Sequence, residues 1–337
     1  MKILFIGGTG LISGACTDLA LAAGVELWHL NRGKREAVPP KGVRQVVADV
    51  RNPGEARRAL GEERFDVVVD WIAFTPDHVR QDVALFRGRT AQYVFISSAS
   101  AYQKPPRHYV ITEETPLENP FWEYSRQKAA CEGILMDEFR ASGFPATIVR
   151  PSLTFGDPAI PLAVSCWHKP WTIVARMRAG RPMIVPGDGT SLWPITHNTD
   201  FAAGLAGLMG NPKAAGEAFH ITTDEALTWN RIYELTAEAC GARLNAARIS
   251  SEFLMAFDPH LEGSLIGDKA NSVVFDNSKL KRLCPGWRAK VTYAEGIGRT
   301  VAWLSADPAR QGVDPETEAK WDRIIAAHES GKARGRA

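Results

Sequence analysis

A glycine-rich turn sits at the start of this chain. The apolar run Ile3–Ile6 passes directly into Gly7-Gly8-Thr9-Gly10, and Leu11–Ala23 follows with helical character up to Gly24. A short buried strand that ends in such a turn and launches a helix leaves few architectures open. Glycines let the backbone come close to a ligand where a Cβ would obstruct it. The helix start adds free N–H groups and a partial positive charge, which suits a phosphate.

The first half of the chain repeats this alternation. Val25–Leu30 and Val43–Val47 read as strands and Glu55–Leu60 as a helix. Asp66–Asp70 carries a Val run, the mark of a strand covered on both faces. Asp77–Phe86 is helical, Tyr93–Ser97 a strand, Tyr124–Ser142 a long helix closed by Gly143, and Thr147–Arg150 a sixth strand. Alternating strands and helices imply an α/β fold, a Rossmann doubly wound parallel sheet with right-handed crossovers. Ligands bind such sheets at the carboxyl ends of the strands.

The 337 residues exceed the roughly 150 that one domain commonly holds, so a second lobe is expected. Prolines and tryptophans crowd residues 151–194, after which Thr199–Met209 and Ala218–Ile221 look like helix and strand again. This predicts a dinucleotide-binding domain over 1–156, with 190–222 returning to it. A smaller, interleaved substrate lobe then takes 157–189 and 223–305, and 306–337 forms a C-terminal helix and tail. Asp200 is expected to cap the helix it begins, and Pro315–Ala327 to lie on the surface.

Hydrophobic content of 45%, charged content of 23% and a net charge of +2 are ordinary for a soluble protein. Nothing in that balance calls for nucleic acid, and the basic tail Lys332–Arg336 reads as a solvated end. Cys16, Cys131, Cys166, Cys240 and Cys284 are odd in number and widely spaced, which fits neither a disulfide framework nor a zinc site. No metal is expected, and the cytoplasm is the simplest compartment. The apolar start is too short for a signal peptide or a membrane span. The expected partner is a small molecule, and a homodimer is compatible with the sequence.

Chemistry enters with Tyr124-Ser125-Arg126-Gln127-Lys128. Tyr and Lys four apart share one helix face. A phenol of pKa ~10 is a poor base at neutral pH, and a nearby ammonium lowers that value. Together with the glycine turn, this pair points to a nicotinamide-dependent enzyme in which Tyr124 moves a proton. A hydroxyl at the carboxyl end of the fifth strand, within Ser97-Ser98-Ala99-Ser100, is placed to hold the substrate oxygen. The cofactor residues expected are Gly7, Gly8, Thr9, Gly10, Leu11, Ile12, Asn31, Arg32, Asp49, Val50, Ala73, Tyr124, Lys128 and Pro151. An acid after the second strand would favour NAD. Here the residues are Asn31-Arg32-Gly33-Lys34-Arg35, so NADP is the expected cofactor, with NAD as the alternative. Asp49 is assigned to the adenine amino group, and Ala73 to a place where a small residue lets the cofactor pass. Phe74, Ser100, Tyr102, Leu153, Trp167, His168, Trp171, Trp193 and His197 are the candidate substrate contacts.

These residues carry a resemblance. The GGTG turn, Asp49, Val67–Ala73, Phe95–Tyr102, Thr112–Pro116, the Tyr-x-x-x-Lys, Arg150–Gly156 and Pro186–Gly189 resemble an extended or atypical short-chain dehydrogenase/reductase of the NAD-dependent epimerase/dehydratase family. The turn has that family's GxxGxx(G/A) spacing, with Ser13 in the last position. The resemblance implies Tyr124 as acid/base, Lys128 as the residue that holds the nicotinamide ribose and tunes Tyr124, and Ser98 as the group polarising the substrate oxygen. The departures matter. Ala99 and Ser100 replace the Asp-Glu pair of sugar-nucleotide 4,6-dehydratases, and Leu153 replaces an Asn that binds nucleotide sugars. The implied activity is an NAD(P)-dependent epimerase or oxidoreductase acting on a small neutral molecule such as a sugar, glycoside or cyclitol. The alternatives are an NADPH-dependent ketone reductase with an aromatic or polyketide-like substrate, and a non-catalytic RNA-binding protein. The latter follows from Leu30-Asn31-Arg32-Gly33, which resembles chloroplast stem-loop-binding proteins.

Overall fold

The computed structural model describes residues 1–33 and 40–334, with the side chains of 332–334 left undescribed. Lys34 and Arg35 lie outside the described residues. The centre is a parallel sheet of seven strands: β1 (Lys2–Ile6), β2 (Glu26–Asn31), β3 (Arg44–Val47), β4 (Phe65–Asp70), β5 (Thr90–Ile96), β6 (Ala146–Pro151) and β7 (Ala218–Ile221). Their spatial order is β7-β6-β5-β4-β1-β2-β3. The chain winds outward twice from the β1–β4 boundary, which is therefore the switch point where such sheets hold ligands.

Local sequence sets the connecting helices. The first, α1 (Leu11–Ala22), leaves the glycine turn. Asn52 caps α2 (Pro53–Leu60) and Thr75 caps α3 (Pro76–Phe86), each by accepting a backbone N–H from the first turn. Both helices carry Pro at their start, where no intrahelical N–H is lost. Gly143, at φ 69°, closes α4 (Glu123–Ser142) in the left-handed region that suits glycine. Val67, Val68 and Val69 are fully buried, as a strand covered on both faces requires. Each contributes roughly 1.5–3 kcal/mol of apolar burial.

β5 begins earlier than its apolar residues suggest. Gln92 keeps a polar side chain inside the sheet by donating to the Thr147 hydroxyl and the Leu208 carbonyl, both at 3.0 Å. After β6 the chain builds α5 (Trp171–Arg178), then α6 (Asn198–Leu208), which packs beside α1, then α7 (Trp229–Ala239) and α8 (Tyr293–Ser305). The final helix, α9 (Pro315–Arg334), is more than a surface element. Trp321 and Ile324 are buried in the same core as Trp171, Trp193 and Trp229. Arg176 on α5 is fully buried and pairs with Glu318 and Asp322 on α9. Among the described residues, no helix is long and apolar enough to cross a membrane.

Candidate active site

The carboxyl ends of β1, β2, β4, β5 and β6 surround a cavity of about 680 Å³. The glycine turn forms its floor. Gly7 has φ 86°, and a Cβ there would lie 2.6 Å from Ile72. A Cβ on Gly8 would lie 2.5 Å from the His29 ring, so Gly8 serves packing and does not line the cavity. Ser13 does more than stay small: its hydroxyl accepts from the Gly10 N–H at 2.8 Å and donates to the Gly7 carbonyl at 3.2 Å. Beneath the turn, Thr17 joins the Gly8 carbonyl to His29 Nε2. Burial lowers His29 to about 4, and its Nδ1 has no hydrogen-bond partner.

Thr9, Gly10, Leu11, Ile12, Asn31, Arg32, Val50, Tyr124, Lys128 and Pro151 line the cavity with Gly7. The sequence reading missed Trp71, Ile72, Gln45 and Val47, which also line it. These are side-chain walls with no motif of their own. Among the described lining residues there is no carboxylate, and Arg32 stands at the β2 end. Asp49 stands between Ala48 and Val50, which line the cavity. It caps its own turn by accepting from Arg51 N–H at 2.9 Å, and it is not on the cavity wall. Ala73 is buried behind the wall and offers its backbone carbonyl instead of open space.

That carbonyl explains Lys128. Its ammonium donates to Ala73 O and Ile96 O, each at 2.7 Å, and the residue is 1% exposed. Burial lowers it to about 8, with Asp70 opposing that shift. Asp70 sets this geometry from below by accepting from the N–H groups of Ile72 and Ala73. Asp70 and Asp82 share this buried pocket with Arg51 and Tyr93. Burial and the neighbouring Asp70 raise Asp82 well above the carboxylate range. Burial also pushes Asp70 upward, but the bond from Asp82 and the Arg51 charge hold it below.

Tyr124 lies on the same face of α4, half-buried. Its ring packs against Trp122 and Phe74 at centroid distances of 5.2 and 6.5 Å. Burial raises its phenol, and a hydrogen bond with Ser98 works in the opposite direction. The expected lowering by Lys128 is not found, because the ammonium is turned to two carbonyls and lies 5.8 Å from the ring centre. Ser98 caps the short 3-10 turn Ala99–Ala101. Its hydroxyl meets that of Ser100 at 2.8 Å, and Ser125 donates to Ser100 at 2.8 Å. A row of hydroxyls thus backs the Ser98–Tyr124 pair, and Ser125 had escaped the sequence reading. Ser97 points the other way, to Glu132, which forms a buried ion pair with Arg150.

Of the expected substrate contacts, the structure brings Phe74 and Ser100 to this pair. Others are structural. Tyr102 is 1% exposed and bonds His220 and Arg150. Trp171 is buried in the second core. Trp193 is buried there too, stacked on Trp229 at 6.0 Å. His197, not Asp200, caps α6, by accepting from Thr199 N–H, and burial lowers its pKa. Asp200 accepts from Val291 N–H instead. Leu153 belongs to a short strand paired with Ile195 and packs on the second core. Trp167 and His168 lie away from the cavity, with His168 beside Asp314 at the start of α9.

The profile of the NAD dependent epimerase/dehydratase family matches residues 3–222. The chain belongs to this family. It is accordingly a nicotinamide-dependent enzyme of the oxidoreductase and epimerase kind. A 2'-dehydrokanamycin reductase from Streptomyces kanamyceticus is 26% identical over 86% of this chain and 81% of its own length. A chloroplast stem-loop binding protein of 41 kDa from Arabidopsis thaliana is 26% identical over 71% of this chain and 63% of its own. Among solved structures, a dTDP-glucose 4,6-dehydratase from Bacillus anthracis, in complex with NAD, superposes with a TM-score of 0.74. It covers 92% of this chain and 98% of its own at 18% identity, which supports the shared epimerase/dehydratase-family fold.

Proposed function

We propose that this family member is an NADP-dependent reductase or epimerase acting on a hydroxyl or carbonyl of a small neutral ring, such as a sugar, glycoside or cyclitol. The observation that carries it is the placement of Tyr124 beside Ser98 and Lys128 at a cavity whose described lining residues include no carboxylate. The cavity suits a dinucleotide: Gly7, at φ 86° and tight against Ile72, keeps the turn free of a side chain, and α1 presents its N-terminus there. When bound, the nicotinamide supplies or accepts the hydride. Tyr124 then gives a proton to the substrate oxygen in reduction and takes it back in oxidation. Ser98 holds the same oxygen, oriented by Ser100 and Ser125. Lys128, anchored by two carbonyls, fixes the turn at Ala73 against the end of β5 and presents one N–H to the cavity.

Arg32 supports NADP, because a guanidinium can meet a 2′-phosphate and Asn31 puts no carboxylate beside it. The relative from Streptomyces, a reductase named for a dehydrokanamycin and not for a nucleotide sugar, supports direct reduction of a substrate that carries no nucleotide. Calorimetric titration with NADPH and NADH, followed by thermal shift with neutral glycosides and with nucleotide sugars, tests both parts. NADPH preference and stabilisation by a neutral glycoside are expected. Preference for NADH overturns the cofactor assignment, and micromolar stabilisation by a nucleotide sugar alone overturns the substrate class.

A further inference from the structure

Outside the cavity lining, where α5 and α9 begin, three side chains of different chemistry converge. Cys166 and His168 precede α5, and Asp314 stands immediately before α9. Their ligand atoms all lie within 4.8 Å of one another. His168 Nε2 is 3.3 Å from Asp314 Oδ2, and Cys166 Sγ is 4.0 Å from the imidazole nitrogens. Bond lengths of about 2.0–2.3 Å around a tetrahedral zinc separate neighbouring ligand atoms by about 3.3–3.6 Å. The His–Asp pair already has that spacing, and the exposed His168 ring can close the wider gap to the sulfur by turning.

We propose that Cys166, His168 and Asp314 form a zinc site that fastens α9 to the substrate-side core. The donor set carries the choice of metal. A thiolate and an imidazole favour zinc over magnesium or calcium, which prefer oxygen. With Cys166 as thiolate, His168 neutral and Asp314 ionised, the ligands balance a divalent ion. Asp314 is already fixed in place: its N–H donates to Thr172 at 2.9 Å and its Oδ2 accepts from Thr317 N–H at 3.0 Å. Thr317 also meets the Cys166 sulfur at 3.7 Å, and Lys169 lies 3.7 Å from Asp314, so the carboxylate has outer partners. Three protein ligands leave a fourth position for water. The sequence hid the site because Asp314 comes from the far end of the chain, so no Cys-His spacing announces it.

The test uses the full chain, stripped with chelator and then loaded with zinc or cobalt. Mass spectrometry of the metal should find one zinc per chain after dialysis. Cobalt should give a thiolate-to-cobalt charge-transfer band together with tetrahedral visible bands. His168→Ala changes an exposed side chain and should weaken zinc by about 10-fold or more. Cys166→Ala should abolish the charge-transfer band. NADPH titration should be unchanged in both, which keeps this site separate from the cofactor reading. Substoichiometric zinc, a cobalt spectrum without the thiolate band, or a band that survives Cys166→Ala overturns the proposal.

Discussion

Around the cofactor cavity, polar groups are supplied mostly by the backbone. Lys128 is held by two carbonyls, Ser13 spans the Gly7 carbonyl and the Gly10 N–H, and Asp70 binds two consecutive amides. In the segment that Asn119 ties to Ser100, side chains neutralise one another. Lys104, Asp268 and Lys269 are buried together, with Asp268 at 3.7 and 3.9 Å from the two ammonium groups. Asp268 and Lys269 lie on a stretch of π-helix, Leu265–Lys269, and Asn119 ties it to Ser100 through the carbonyls of Gly267 and Ser100. A backbone-built wall takes one shape for many sequences. A wall of paired side chains changes with each substitution, so the two regions are built in two different ways.

Five substitutions or conditions probe that division, the largest effect first. Tyr124→Phe keeps the ring and removes the proton, so kcat should fall about 10²- to 10⁴-fold with cofactor affinity nearly unchanged. Retention of more than a tenth of kcat in a steady-state assay would remove Tyr124 from the acid/base role. Trp193→Ala should act through the core, costing about 3–5 kcal/mol in denaturant unfolding. A raised KM without lost stability would return Trp193 to the substrate pocket.

Lys128→Met should lower both turnover and NADPH affinity, each by about tenfold or more. In the wild type, Lys128 titrates near 8 through burial, so the ammonium is present below that pH and lost above it. NADPH affinity, followed by fluorescence, should therefore weaken as the pH rises past 8, and the Met variant should show no such step. A flat profile in the wild type would leave Lys128 without an electrostatic part in binding.

His29 gives the fourth test. Its folded pKa of about 4 lies below the unfolded value, so its contribution is complete above about 6.5 and is lost as the pH falls toward 4. Urea unfolding at about pH 7 and about pH 4.5 should differ by about 2 kcal/mol more in the wild type than in His29→Leu. Equal losses would show that the glycine turn does not depend on a neutral His29. Arg32→Ala is the mildest change. It should weaken NADPH by about tenfold with little effect on NADH, and equal losses for both would place Arg32 outside the 2′-phosphate site.

The sheet was legible because its strands are short apolar runs separated by turn and capping residues. Asn52, Thr75 and Gly143 each do locally what their chemistry suggests. The glycine turn was legible for the same reason, since backbone conformation restricts the residue type. The walls were not. Trp71 and Gln45 line the cavity by tertiary position, with no periodic signal. Aromatic residues after Pro151 looked like pocket walls, yet Trp171 and Trp193 are core, because burial selects the same large rings that ligand stacking does. His197 holds the capping place expected of Asp200 because α6 begins at Asn198, which puts Asp200 inside the first turn, where its carboxylate accepts from Val291 N–H.

The last strand of the sheet has a consequence for how the protein is made. β7 pairs with β6 only after the intervening segment has been synthesised, since Phe219 lies beside Val149 and His220 beside Arg150. Until the ribosome has passed residue 221, the emerging N-terminal half presents β6 as an open, apolar edge with unpaired amides. A nascent chain paused there offers a ready template for another strand. The cover of that edge therefore waits on residues 218–221.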